Sequence, residues 1–398
     1  MLSKVLQAKT AVYEDMKTHW SDWYPLSTRR RWCLPANGLQ SIIPVKAQPL
    51  RDQGLHLRLA TVLGLGNPRI VPMRVGMTLR PETRFCLLGL AAIFLLLRES
   101  SVGAELDHRT VARDNFQLHL TTQGNGTPLV LLSGGPGFDA DYMLPLGTEL
   151  NRQSQCIVLE QRGTGHSLPP TLTSETINVK AMVDDIEALR NSMKLKQITL
   201  LGHSWGGVLS MAYAARYPQR VHSLILVASG GLDMSFAPIF LDNVVNRASM
   251  NERKEIQEAE LALGNAADPS SAWFKLFRLV VPLYFFDRTL GEQFMAGATK
   301  DGYHPEMAKL IQLDLQKHFD LRKQLAGFSA PVLIIQGHQD PMPEGVAIET
   351  KSCFKNAHLI FLNRCGHFPW LEQPKEFYQA VRTFLVGQSQ PTPFSSPK

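Results

Sequence analysis

The 398-residue sequence predicts an α/β fold: a mostly parallel sheet flanked by helices and interrupted by a helical cap. Three observations carry that expectation. Short apolar runs at 128–132, 156–159, 197–201, 221–228, 331–336 and 358–362 are β-branched or leucine-rich and bounded by Gly, Pro or Asp, as strands buried on both faces of a sheet are. Helical periodicity fills the intervals between them, as in Val179, Met182, Val183, Ile186, Leu189 and again in Phe377, Ala380, Val381, Phe384, Leu385. Between the fourth and fifth runs lie about a hundred residues with helical patterning only.

Taken in order, residues 1–76 show no sustained period and carry Arg29-Arg30-Arg31 and scattered prolines; they read as a non-native or disordered extension. From Met77 the chain runs through Arg80 and Arg84 into an unbroken apolar stretch, 86–97, and then Val102-Gly103-Ala104. A basic region, a short apolar core and a small-x-small site make 77–104 a signal peptide, too short for the ~20 residues that span a bilayer. That implies a start at Met77 or Met73 and a secreted or periplasmic protein, membrane-anchored if the segment is not cleaved. A signal anchor or a buried core helix is the alternative.

Charge divides the chain at the same place. Residues 1–104 hold 14 Lys plus Arg against 6 Asp plus Glu, and the remainder holds 27 against 29. The basic excess therefore belongs to the leader, and no basic, aromatic-interleaved face for nucleic acid is expected. Of the cysteines, Cys156, Cys353 and Cys365 lie beyond the leader without metal-ligand spacing; Cys353 and Cys365 either pair or remain buried thiols. Residues 105–231 and 326–387 form the expected core, 232–325 the cap, with helices at 236–245, 273–286 and 307–321, and 388–398 a Pro- and Ser-rich disordered tail.

Gly202-His203-Ser204-Trp205-Gly206-Gly207 stands between an apolar run and a helical stretch. G-x-S-x-G at a strand-to-helix junction is a nucleophile elbow: its glycines clear the neighbouring strand and helix while the serine takes a strained backbone conformation. A serine hydroxyl is a poor nucleophile at neutral pH and needs a base, a group orienting that base, and donors for the oxyanion. His367 in Cys365-Gly366-His367-Phe368 follows the last run, and Asp340 in Gly337-His338-Gln339-Asp340-Pro341 the one before, giving the order Ser, acid, His. Asp233 is the next candidate for the acid. Trp205, the residue after the serine, is expected to give one oxyanion N–H. The other is expected from Ser133-Gly134-Gly135-Pro136-Gly137, where Pro136 has no N–H, so Gly135 comes first and Gly134 second.

Across roughly residues 110–390 the chain resembles the proline iminopeptidase-like branch of the α/β-hydrolases, a serine aminopeptidase family. Ser133 to Gly137 is similar to its H-G-G-P-G, Glu160-Gln161-Arg162-Gly163-Thr164-Gly165-His166-Ser167 to its D-Q-R-G-x-G-x-S, and Gly202 to Gly206 to its G-G-S-W-G. The resemblance implies an α/β-hydrolase fold with a helical cap, no cofactor or metal, and a small-molecule or short-peptide substrate.

The departures bear on substrate. Ser133 replaces the family's His, Glu160 its Asp, and His203 the Gly before the nucleophile, a form more common in esterases and carbon–carbon bond hydrolases. Family aminopeptidases hold the substrate's free amine with cap carboxylates, often a Trp-Glu pair. None occurs here, which leaves Glu252, Glu255 and Glu292 as amine-binding candidates, with Glu258 and Glu260 nearby. Gln161 and Arg162 are expected to order loops; His166, His203 and His338 are read as packing or loop residues. The resulting expectation is an exported serine hydrolase working through an acyl-enzyme, favouring N-terminal residues of small peptides or amides. A carboxylic ester or C–C bond hydrolase is the alternative, and a ligand-binding sensor of the same fold the second.

Overall fold

A computed structural model describes residues 106–317 and 319–388; the extension 1–76, the segment 77–104 and the tail beyond residue 388 lie outside the described residues. Eight strands form one sheet: β1 (Asp107–Ala112), β2 (Gln117–Gln123), β3 (Thr127–Leu132), β4 (Ser154–Leu159), β5 (Ile198–His203), β6 (Val221–Val227), β7 (Val332–Gly337) and β8 (Ala357–Leu362), in the order β1-β2-β4-β3-β5-β6-β7-β8. Strands β3 to β8 are parallel, while β1 pairs with β2 and β2 with β4 antiparallel.

The six apolar runs become β3 to β8. The two antiparallel strands were not among the expected ones, and the reason is chemical. Strand β1 is an exposed edge that buries only Val111, so His108, Arg109 and Thr110 carry no hydrophobic pattern.

Leu129 and Leu131 face one side of the sheet, Val130 and Leu132 the other, the two-residue period of a strand buried on both faces. On the Val130 side pack α2 (Val179–Ser192), through Met182, Val183, Ile186 and Leu189, and α3 (Trp205–Arg216). Opposite lie α1 (Leu144–Leu150) and, at the chain's end, the carboxyl-terminal helix Pro374–Gln388, through Phe377, Val381 and Phe384. Each fully buried Leu, Ile or Phe contributes about 1.5–3 kcal/mol by leaving water, so these two layers hold the sheet.

Between β6 and β7 come α4 (Ala237–Arg247), α5 (Met250–Leu263), α6 (Pro269–Val280), a 3₁₀ turn at Val281–Tyr284, α7 (Arg288–Ala296), α8 (Pro305–Leu315) and α9 (Arg322–Leu325). The single helix expected at 273–286 stops at Val280, because Pro282 has no N–H to continue it. Helix α5 escaped the sequence reading because it buries only Ile256 and Ala259; a Ser249–Glu252 capping box starts it instead. After β7 come α10 (Glu344–Cys353), α11 (Pro369–Glu372) and α12, the helix Pro374–Gln388. Cys156, Cys353 and Cys365 are free thiols. Among the described residues no helix is long and apolar enough to cross a membrane.

Candidate active site

Parallel strands that end at one edge of a sheet deliver their following loops to one place. Register pairs Leu132 with Gly202, His203 with Val227 and Gly337 with Leu362, so the loops after β3, β5, β7 and β8 leave the sheet side by side.

The turn after β5 is strained. Ser204 has φ 53° and ψ −115°, a region a non-glycine residue enters only when its surroundings force it. They do so by hydrogen bonding: the Ser204 N–H donates to the Val227 carbonyl at 2.9 Å, and its carbonyl accepts from Gly207 at 3.0 Å and Gly230 at 3.2 Å. The flanking glycines are required by contact, since a Cβ on Gly202 would lie 2.2 Å from the Gly206 carbonyl oxygen and one on Gly206 2.1 Å from that of Leu132. Ser204 is left half-buried at the start of α3.

Asp340 and His367 come together across the ends of β7 and β8. The His367 Nδ1–H donates to the Asp340 carboxylate, with oxygens at 2.9 and 3.0 Å, and the Met342 N–H donates to the same carboxylate at 2.8 Å. The Asp340 side chain is fully buried and that of His367 nearly so, which makes the pair a shielded one in which the imidazole satisfies an otherwise costly carboxylate. The loop carrying His367 is fixed from the insertion, because its N–H donates to the Tyr284 carbonyl at 2.9 Å. Glu372 of α11 adds a clasp: one carboxylate oxygen accepts from Gly366 at 2.6 Å, the other from Phe286 at 2.7 Å and Asp287 at 3.1 Å. Burial pushes the Glu372 carboxyl above its ordinary range, against the three amides that favour its ionised form. Asp233 pairs with Arg322 at 2.8 Å and bonds Ser235, away from His367.

The loop after β3 meets the elbow. A Cβ on Gly134 would sit 3.1 Å from that of Ser204. The Gly134 N–H donates to the Tyr142 hydroxyl, so it is occupied; the Gly135 N–H, at φ +122° on an exposed residue, makes no hydrogen bond among the described residues. The Trp205 N–H heads the first turn of α3, where a helix leaves its amides unpaired and its dipole favours negative charge. Gln161 ties the two parts: its Nε2–H donates to the Ser133 carbonyl at 2.8 Å and its Oε1 accepts from the Trp205 indole at 2.8 Å. Arg162 donates to Asp185 at 2.6 and 2.8 Å and to the Thr176 carbonyl at 3.0 Å, which orders the same loop.

The amine-binding candidates go elsewhere. Glu255 and Glu292 are exposed, as are Glu258, Glu260 and Asp287. Glu252 caps α5 through Ser249 and binds Arg288 at 2.5 Å, which with the capping bonds holds its carboxyl down at about 2. None of the three has the buried, unpaired position that clamping an ammonium requires. The insertion meets the site loops with polar groups, Arg247 on the Gln339 carbonyl and Asn243 on that of Pro341, and with aromatic rings. Phe138, next to Gly137, packs on Phe277 and Tyr303 with ring centres 5.0 Å away, and Trp273 adds to that cluster. Phe240 and Tyr284 lie 5.9 and 5.5 Å from the His367 ring. Burial raises the Tyr303 hydroxyl to about 12 and pushes Tyr284 up as well.

The sequence reading passed over three side chains here: Tyr142 and Glu372, and His203 as more than packing. A lone Glu in Phe368-Pro369-Trp370-Leu371-Glu372 was a usable signal; Tyr142 had none, because His203, the partner that gives it a place in the site, lies 61 positions away.

The family model of the α/β-hydrolase fold matches residues 127–374. The chain belongs to the α/β-hydrolase fold family. This hydrolase is similar over most of its length to a proline iminopeptidase of Lactobacillus delbrueckii subsp. lactis, 28% identical over 290 residues, 69% of this chain and 96% of that one. A cis-3-alkyl-4-alkyloxetan-2-one decarboxylase of Shewanella oneidensis is 36% identical over 125 residues, 31% of this chain and only 39% of the relative. The crystal structure of a Mycobacterium smegmatis proline iminopeptidase shares the fold, with TM-score 0.53 at 20% identity, covering 71% of this chain and 98% of that one.

Proposed function

We propose that this α/β-hydrolase is a serine hydrolase that works through an acyl-enzyme and takes a neutral acyl group, a carboxylic ester before an amino-acid amide. Ser204 attacks the carbonyl carbon while His367 takes its proton, and Asp340 holds the imidazole in the tautomer that leaves Nε2 free to do so. The Trp205 and Gly135 N–H groups receive the oxyanion, and His367 then protonates the leaving group. Water, activated by the same imidazole, releases the acid and restores Ser204.

The observation that carries the substrate class is where the cap acids lie. A cationic α-amine desolvated in a closed site needs a carboxylate beside it. Glu252 is committed to Arg288 and Ser249, and Glu255 and Glu292 face solvent, while the rings packed beside Gly137 and His367 are those of Phe138, Phe240, Phe277, Tyr284 and Tyr303. An apolar wall suits a neutral acyl chain.

The aminopeptidase reading is kept as the second, because full-length likenesses include proline iminopeptidases, beside a 2-hydroxy-6-oxo-2,4-heptadienoate hydrolase, and the Gly-Gly-Pro-Gly loop resembles that family's pattern. A free-amine prolyl or alanyl arylamide set against its N-acetylated analogue, beside p-nitrophenyl esters of graded chain length, separates the two. Preference for the free amine by about 10² or more, a differential of about 2.7 kcal/mol, would restore the aminopeptidase. Failure of a fluorophosphonate to label Ser204 would favour a ligand sensor of the same fold.

Residues 77–104 are proposed as an export signal, with residues 232–325 as the cap of the mature hydrolase. Recovery of any peptide from residues 1–60 in the mature protein would overturn translation from Met73 or Met77.

A further inference from the structure

His203 sits between the three loops that the proposed chemistry needs. Its Nε2–H donates to the backbone carbonyl of His367 at 2.9 Å, which leaves Nδ1 as an acceptor, and that atom lies 2.8 Å from the Tyr142 hydroxyl. Tyr142 in turn accepts from the Gly134 N–H. The bonds therefore run in one direction, from the loop after β3 through Tyr142 and the histidine preceding Ser204 to the carbonyl of His367.

The surroundings fix that direction. The His203 ring is buried among His367, Phe368, Trp370 and Tyr142, with ring centres 4.8 to 5.7 Å away. With the Nε2–H held by a carbonyl, the neutral imidazole has one tautomer open to it, and Tyr142 is oriented to donate. Burial, and then the neighbouring His367, hold His203 well below its ordinary range, so it stays uncharged beside an imidazole that becomes cationic in turnover. Glycine, the residue the family pattern has at 203, could make neither side-chain bond.

We infer that Tyr142 and His203 are positioning residues that lock the oxyanion loop, the Ser204 turn and the His367 loop into one geometry. Their effect is on the reacting atoms' alignment and not on substrate binding: a misplacement of about 1 Å costs about 10²-fold in rate. The inference rests on the serine-hydrolase reading. Its readout is the second-order rate of Ser204 phosphonylation by a fluorophosphonate, which depends on neither an ester nor an amide preference.

Labelling of the wild-type chain establishes the underlying reading first; an unlabelled wild type would sink that reading and this one with it. Tyr142→Phe, which removes one oxygen, should then lower both the labelling rate and kcat on a p-nitrophenyl ester about 10–100-fold, with KM within about 3-fold, in a chain that still folds but unfolds a few degrees lower because the Gly134 N–H and His203 Nδ1 lose their partner. Because Tyr142 acts through His203, combining it with His203→Phe should cost no more than about 3-fold beyond His203→Phe alone. If His203→Phe does not fold, His203→Gln takes its place in the cycle. Wild-type labelling in Tyr142→Phe, a loss confined to KM, or losses that multiply in the double variant would each overturn the inference.

Discussion

The sheet edge and the insertion between β6 and β7 are built to different rules. At the edge Ser204, Asp340 and the His367 loop are each held by several partners: Ser204 by four backbone bonds, Asp340 by His367 and Met342, the His367 loop by Tyr284 and Glu372. The insertion has a small core of its own, around Val244, Ile256, Leu276 and Leu283, and leaves Ile239, Leu241, Val245 and Met250 exposed. Hydrogen bonds tie it to the site loops, among them Arg247 to the Gln339 carbonyl, Asn243 to the Pro341 carbonyl at 2.8 Å and His304 with Asp139 at 2.7 Å. The two regions present different chemistry to the site, hydrogen-bonded reacting groups at the edge and aromatic rings from the insertion. We propose that the first aligns the reacting atoms and the second sets substrate choice.

If the division is right, damage at the edge should appear in kcat and damage in the insertion in substrate preference. Ser204→Ala is the largest expected effect: a fall of about 10⁶-fold in kcat with an unchanged circular dichroism spectrum. Turnover above a few per cent would move the nucleophile elsewhere. Asp340→Asn follows, with a loss of about 10⁴-fold, because the amide favours the wrong imidazole tautomer. Near-normal steady-state rates in that variant would break the assignment of the acid.

Phe277→Ala should do the opposite. It removes part of the wall beside Phe138, so kcat/KM should shift toward bulkier p-nitrophenyl acyl esters by about 10-fold while kcat on the acetate changes less than about 3-fold. Equal losses across the acyl series would show that the insertion also sets alignment.

The smallest effect concerns pH. Glu252 has its carboxyl lowered from 4.5 to about 2, first by Ser249 and then by Arg288. A depressed folded-state value means its stabilisation is complete above about 4.5 and is lost as pH falls toward about 2. Because the pair is one-third exposed, Glu252→Gln at neutral pH should lower the unfolding midpoint by only about 1–2 °C. Tryptophan fluorescence, to which Trp273 in the insertion contributes, should report the acid loosening in the wild type and not in the variant.

The chain's local chemistry determined the six parallel strands, the elbow and the Asp340 and His367 positions. Buried runs must be apolar, Gly202 and Gly206 must lack a Cβ where backbone passes about 2 Å away, and strand order puts the acid and the base at neighbouring loop ends. The antiparallel edge stayed hidden because β1 is exposed and polar and the buried half of β2 is itself polar, at Thr121, Thr122 and Gln123. Only the tertiary structure decided the bridge through Tyr142 and His203, whose bonds join residues 61 and 164 positions apart, and the clasp of Glu372 on Phe286, 86 positions away. It also decided the cap acids: a glutamate on a helix reads alike in sequence whether it faces a substrate or water. Which way it turns depends on how a few partly buried side chains, such as Arg288 against Glu252, seat that helix.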